Sequence, residues 1–483
     1  MLHNIHIFLI LLFLSFFTAK TTATNFNFTL SHQYTDPETV VQELQRRVNE
    51  SVLKRQMSGV YEMDQQPCQT GNPIDDCWRC DSNWQANRQS LADCGIGFGH
   101  DALGGKGGEM YVVTDSSDND PEKPAPGTLR FATVQTRPVW ITFSSNMIIK
   151  LKQELIITSF KTIDGRGADV HITGAGCISI LNVNNVIVHD IHIHHCTPSK
   201  GSRKSDGDGI TVLGSKNIWV DHCSLSYCTD GLIDVTEGST GVTISNNFFS
   251  HHDKVMLLGH SDKYDGDRGM QVTVAFNHFG ENLVERMPRC RWGYFHVVNN
   301  DYTQWGEYAV GGSASPTINS QGNRFIAPSN PNAKEVTARM DTDKSEWSKW
   351  NWRTDGDIMV NGAFFVPSGD GLGVKYALAS SLDPRSAGLI DQLTMNAGVF
   401  GDNNRDHNVN PSPYGGGSST GIGPGEGGGV VGDPNYYGMI YGSQASTTPS
   451  LFKSLVIISW QVHPFVMGLN LTLVRYIPLP WWD

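Results

Sequence analysis

Six short stretches in the middle of the chain repeat one pattern of apolar and polar positions. They are NVIVHDIHI (185–193), NIWVDHCSL (217–225), VTISNNFF (242–249), VTVAFNHF (272–279), FHVVNNDY (295–302) and TINSQGNRF (317–325). In each, apolar residues alternate with others, an Asn, Asp or His follows, and a Phe, Leu, Ile or Tyr closes the run. Alternation of this kind puts residues i and i+2 on one face of a strand. Set in one register, the stretches align Asp190, His222, Asn247, Asn277, Asn300 and Asn323, at intervals of 32, 25, 30, 23 and 23 residues. Units of about twenty residues plus variable insertions predict one β-coil per repeat. The expected fold is therefore all-β, a parallel β-helix whose stacked coils share one core. Polar residues recurring at a corner would form a ladder of hydrogen bonds between coils. A β-sandwich would need tight two-residue hairpin turns, and few are present.

The flanks read differently. Residues 1–23 carry an apolar run from Ile7 to Phe17 with small residues at Ala19 and Ala23, the pattern of a signal peptide. Residues 24–94 form an N-terminal, cysteine-containing extension. Within it Val40, Val41, Leu44, Val48 and Val52 predict one amphipathic helix over 37–57. The β-helix domain is expected over 95–405, opening with a Gly-rich, turn-rich stretch and showing strands from near Val139 onwards. A Gly/Ser-rich linker occupies 406–450. The apolar tail 451–483, preceded by Gly442, Ser443, Ala445 and Ser446, has the arrangement of a lipid-anchor signal, whereas Lys453, His463, Pro464, Arg475 and a polar last residue point instead to an unusual C-terminus. Asn27, Asn49 and Asn470 stand in glycosylation sequons. A secreted chain with nine cysteines is expected to form disulfides, with at least one thiol left over and the connectivity open. Cys77-Trp-Arg-Cys80 has the spacing of a redox or zinc pair, but disulfide use is the better reading in that compartment.

The 483 residues carry a net charge of −12, which argues against nucleic acid as a partner. SDGDGITVLGSKNIWVDHCSLSYCTDGLID (205–234) nevertheless places five aspartates among strand residues. Asp206 and Asp208 are two apart, Asp230 and Asp234 four apart, and the two pairs are separated by about one coil. Stacking would bring four carboxylates to the inter-strand distance of about 4.8 Å, where they would repel unless a cation lay between them. Oxygen ligands in a secreted protein point to Ca²⁺. No EF-hand loop is present, because DGDG lacks the later ligands. Asp221 is expected to be structural, bonded within its turn. Lys254, Arg286 and Arg291 fall on the following coils and would form a cationic strip beside the metal, suited to polymeric carboxylates. Arg289 reads as ordinary surface charge. HIHH (192–195) reads as an exposed strand face, and no zinc spacing or Gly-x-Ser-x-Gly elbow is convincing.

GTLRFA, PVWITF, TIDGRGADVHITG, SDGDGITVLGSKNIWVDHCSLSYCTDGLID, KVMLLGHSD, MQVTVAFNHFGEN, RMPRCRWGYFHVVNNDYTQW and GGSASPTINSQGNRF together resemble the plant pectate lyases of polysaccharide lyase family one, over about residues 60–405. The resemblance implies a right-handed β-helix, acting as a monomer. It implies Ca²⁺ held by Asp206, Asp230 and Asp234 with Asp208 beside them, Asp230 standing where bacterial members often carry Glu. It further implies Arg286 as catalytic base, Lys254 and Arg291 as substrate-binding residues, and β-elimination in de-esterified homogalacturonan (polygalacturonate) to give 4,5-unsaturated ends. An arginine holds its proton to above about pH 12, so a basic role needs positive neighbours, and an alkaline optimum is expected. A non-catalytic, calcium-dependent pectin-binding wall protein is the alternative, supported by the linker and the tail. Polygalacturonase would need paired catalytic acids, and pectin lyase would not retain the aspartate cluster.

Overall fold

The computed structural model describes residues 68–199, 206–371 and 373–400. The predicted helix over 37–57, the signal segment, the three sequons, the linker and the tail lie outside these residues.

The alternating stretches form strands that pair with the corresponding strand one coil away, all in parallel. Three sheets result, of ten, nine and eight strands. One turn of the solenoid runs from Lys216–Asp221 in the first sheet to Ser224–Ser226 in the second and Ile233–Thr236 in the third. The chain then returns to the first sheet at Thr240–Ser245. This is a right-handed parallel β-helix. Strands begin at Glu109–Val113, earlier than the sequence pattern indicates, because that first strand packs only one side and lacks a continuous apolar alternation.

Inward residues of all three sheets meet in one core, which includes Ile178, Ile210, Ile233 and Met256 from the third sheet and Val186, Ile218, Val242 and Val272 from the first. Aromatic side chains stack coil on coil inside it. Phe249, Phe279, Tyr302 and Phe325 follow one another at ring separations of 5.1, 4.5 and 4.5 Å. Each such pair contributes about 1 kcal/mol beyond its buried area.

The corner between the first and second sheets carries the polar ladder. Asn247 donates through its backbone N and its Nδ2 to Asn277 Oδ1, Asn277 does the same to Asn300, and Asn300 to Asn323. The ladder ends on Asp357 Oδ1. Asp190 and His222 are not part of it. Strand register aligns them with Asn246, one residue earlier, and Cys223 occupies the ladder position, its N donating to Asn247 Oδ1. Asp190, His222, Asn246, Phe276 and Asn299 instead share the left-handed backbone conformation that turns each coil, with φ between 51° and 62°. Adjacent polar residues hide that one-residue offset in the sequence.

The outward face of the first sheet is covered. Ile74, Trp78 and Leu91 of the N-terminal segment pack on Trp140, Ile187 and Trp219. Segment 373–400 lies along the same sheet, with Asn319 Nδ2 donating to the Ala379 carbonyl, Arg385 N to Asn299 Oδ1 and Phe400 N to Asp190 Oδ1. Burial on both faces explains why outward positions such as Ile187 and Trp219 are apolar too. Gly99 allows the N-terminal side to lie flush on the sheet, since a Cβ there would meet the Ile218 carbonyl at 2.6 Å.

Disulfides join Cys68 to Cys80, Cys77 to Cys94 and Cys177 to Cys196. Cys77 and Cys80 are thus not partners of each other. Cys223 and Cys290 are buried thiols, and Cys228 is half-buried. Among the described residues no helix is long and apolar enough to cross a membrane.

Candidate active site

The loops entering the third sheet carry the aspartates. Its register pairs Thr211 with Asp234, Asp234 with Leu257, and Leu257 with Arg289, a row across four coils. Asp206 and Asp208 precede the strand Ile210–Leu213, and Asp230 precedes Ile233–Thr236, so consecutive loops stack. Carboxylate oxygens of Asp206, Asp208 and Asp230 lie within 4.8 Å of one another. Asp206 is exposed, Asp208 buried and Asp230 half-buried.

Asp208, from this group, and Asp234, which lies outside it, are oriented by the fold. Asp208 Oδ1 accepts from Gly231 N at 2.8 Å, and Asp208 Oδ2 from Thr211 Oγ1 at 2.9 Å. Asp234 Oδ1 accepts from Leu257 N at 3.1 Å. Gly231 makes room between them, because a Cβ there would lie 2.3 Å from Asp234 Oδ1 and 3.0 Å from Asp208 Oδ1. Burial, followed by the charge of Asp206, pushes the Asp208 carboxyl up to about 7. Burial and the charge of Asp208 raise Asp234 well above the usual carboxylate range, and burial together with Asp230 raises Asp206. A set of carboxylates that raise one another, with a gap held open by a glycine, fits a hard divalent cation.

The cations occupy the next coils. Lys254 Nζ lies 3.3 Å from Asp230 Oδ1, and the strand His252–Lys254 pairs with Leu283–Glu285 so that Lys254 stands beside Glu285. Arg286 follows directly. Its backbone is left-handed at φ 65°, its carbonyl accepts from Met256 N at 2.7 Å, and its Nε meets Glu285 Oε1 at 3.1 Å. A β-carbon-bearing residue in that conformation is strained, and the turn is held by its hydrogen bond to the neighbouring coil. Arg291 lies on Arg289–Arg291, at the opposite end of the strand from the aspartates. Its Nε donates to Asp262 Oδ1 at 2.9 Å, and its Nη1 to the carbonyls of Gly259 and His260. Burial and then the charges of Arg289 and Arg286 lower it from the ordinary arginine value, against the pull of Asp262.

Arg289 is no ordinary surface residue. It shares the outward face of its strand with Arg291, and its Nε is buried without a hydrogen-bond partner. Sequence reasoning also missed Glu285, Asp262 and Gly231. Asp262 becomes visible only when the coils are stacked, whereas Glu285 immediately precedes Arg286 and the Gly in DGLID lies within the quoted motif. Asp221 is buried away from this cleft, bonded to His189, His222, Ser245 and Asn246, and against the effect of burial His222 and His189 hold its carboxyl below the usual range.

Residues 145–354 match a protein-family model described as pectate lyase. The chain is 60% identical over 416 residues to Probable pectate lyase 13 of Arabidopsis thaliana, covering 83% of this chain and 83% of that protein. The chain belongs to the pectate lyase family. Probable pectate lyase 12 of Arabidopsis thaliana is 61% identical over 387 residues, 77% of this chain and 80% of the relative. Among solved structures, the crystal structure of the major allergen from cedar pollen superposes with a TM-score of 0.65 at 49% identity, covering 68% of this chain and 99% of that one. The expectations of a right-handed β-helix and of pectate lyase membership therefore stand.

Proposed function

We propose that this pectate lyase cleaves de-esterified homogalacturonan by calcium-dependent β-elimination in the cleft on the third sheet. The observation that carries the reading is the convergence of Asp206, Asp208 and Asp230 within 4.8 Å, with Lys254 on Asp230 and arginines on the next coil. Asp206, Asp208, Asp230 and Asp234 would hold Ca²⁺. When bound, the ion supplies positive charge that joins the protein to a uronate carboxylate and favours loss of the C5 proton. Lys254, placed at the edge of the cluster, binds a uronate carboxylate as a point charge. Arg291, whose guanidinium is fixed by Asp262 and two carbonyls, binds another with its remaining N–H groups. Arg286 takes the C5 proton. The electron pair left at C5 forms the 4,5 double bond as the C4–O bond breaks, and the leaving oxygen is protonated from solvent.

Three disulfides are the mark of an oxidising compartment, which supports secretion to the cell wall. If the tail 451–483 is a lipid-attachment signal, it would be removed and the lipid added in its place would hold the enzyme at the outer face of the plasma membrane. Incubation with polygalacturonate, with calcium or with chelator, tests the reaction class through its products. β-Elimination requires unsaturated oligogalacturonates only when calcium is present. Saturated products would establish hydrolysis instead, and calcium-dependent binding without any product would establish the wall-binding alternative.

A further inference from the structure

Away from the cleft, a second set of donor atoms gathers on the outward face of the second sheet. His171, in the strand Val170–Ala175, and His192, in His192–Thr197, are register partners on adjacent coils. Asp169 immediately precedes the first of these strands. The Nε2 atoms of both histidines lie 3.2 Å from Asp169 Oδ1. One ligand atom from each of the three residues falls within 4.8 Å of the others. Asp169 Oδ1 is buried and no hydrogen bond of good geometry reaches it, so its contacts with the two rings are chiefly electrostatic. Three donors held close together without satisfying one another are arranged for a common fourth atom.

A chain of imidazoles behind His171 supplies a tautomer suited to this. His171 Nδ1 lies 2.9 Å from His194 Nε2, and His194 Nδ1 lies 2.8 Å from His195 Nδ1. With His171 Nδ1–H donating to His194, and His194 Nδ1–H donating to His195, His171 Nε2 is left with a free lone pair. Fixing the outer nitrogen in this way is how ligating histidines are commonly oriented. Tetrahedral zinc with bonds of about 2.0–2.1 Å separates its ligand atoms by about 3.3 Å, close to the two 3.2 Å separations here. The rings of His171 and His192 are stacked with centroids 4.3 Å apart and planes 7° apart. Their lone pairs converge only after one ring tilts. Both side chains are 28% exposed and the imidazole torsion is broad, so that movement is open to them.

We propose that Asp169, His171 and His192 form a binding site for one borderline divalent ion of the zinc class, separate from the oxygen-ligand cleft. Two imidazoles and a carboxylate favour Zn²⁺ over Ca²⁺, which takes oxygen donors. The ion would cross-link two neighbouring coils. The second of its strands also carries Cys196, disulfide-bonded to Cys177, so the ion would add to a join already made there.

The test uses the full chain without a histidine tag, saturated with Ca²⁺, at neutral pH. Zn²⁺ is titrated against a chromophoric indicator, and bound metal is counted by elemental analysis after gel filtration. The site predicts one Zn²⁺ per chain at micromolar affinity and a higher Tm with zinc. Affinity should fall by about 30-fold or more in His171→Ala or His192→Ala, and by about tenfold in His194→Ala, which acts only through His171. Asp208→Asn should bind zinc as the parent does. Each variant's zinc-free Tm reports whether it is folded, and His171→Gln and His192→Gln replace any alanine variant that is not. No zinc bound at 100-fold above the micromolar range (~100 µM), or equal binding by the His171 and His192 variants, would overturn the site.

Discussion

At the level of single residues, the site depends on small allowances as much as on charged groups. Gly231 is one of them. In Gly231→Ala the new methyl would press on Asp234 Oδ1 from 2.3 Å, against a carboxylate already bonded to Leu257 N. Calcium affinity, read by calorimetric titration, should fall by about tenfold or more while the circular dichroism of the β-helix is unchanged. Asp208 provides a second check, through pH. Its folded carboxyl is raised to about 7 from an ordinary 3.8, so between those values the metal-free folded chain holds a proton that the unfolded chain has lost. The folded state is therefore favoured at the acid end, and that advantage declines as pH rises from about 4 through 7. In chelator, the parent should lose more Tm between pH 5 and pH 8 than Asp208→Asn does, by a few degrees (about 1–3 °C). Calcium, which needs the ionised carboxylate, should close the gap. Equal pH profiles in chelator would show that Asp208 does not carry the strain assigned to it.

At the level of the strand and its turn, much was legible in the sequence. The alternating runs, their spacing and the recurring asparagines give the coils, because each coil repeats the same demand for an inward apolar face and a satisfied corner amide. The corner itself was read one residue off at Asp190 and His222. Adjacent polar residues serve two different ends there, the left-handed turn and the ladder, and only strand register separates them. The ladder is a strong test of the element. Asn277 accepts from Asn247 at its N and Nδ2 and donates to the Ile244 carbonyl and Asn300 Oδ1, all at 2.9–3.1 Å and all buried. In Asn277→Leu, buried polar groups on two neighbouring coils are left without partners, at about 1–3 kcal/mol each. Thermal unfolding should begin at least about 5 °C lower, and hydrogen exchange should quicken at Asn247 and its neighbours first.

At the level of the whole molecule, the two ends of the described chain and the cleft divide the surface between them. Segments 68–94 and 373–400 cover the first sheet, and the loops of the third sheet carry the aspartates and cations of the proposed cleft. The aspartates could be assigned to one place from sequence because they sit one coil apart on consecutive loops. The neighbours of Lys254 and Arg291 could not. Glu285 is brought beside Lys254 by a pairing of short strands, and Asp262 reaches Arg291 from 29 positions away in the chain. These contacts depend on insertion lengths that no local pattern encodes.

The proposed reaction requires Arg286 to act on a polymer held through a metal bound by the aspartates. Ultraviolet absorbance of 4,5-unsaturated ends released from polygalacturonate at alkaline pH tests it, with the parent and Arg286→Ala compared in calcium and in chelator. Absorbance should rise only for the parent in calcium and fall by about 10²–10⁴-fold in the variant, with calcium affinity unchanged. A variant that keeps releasing unsaturated product near the parent's rate would contradict it.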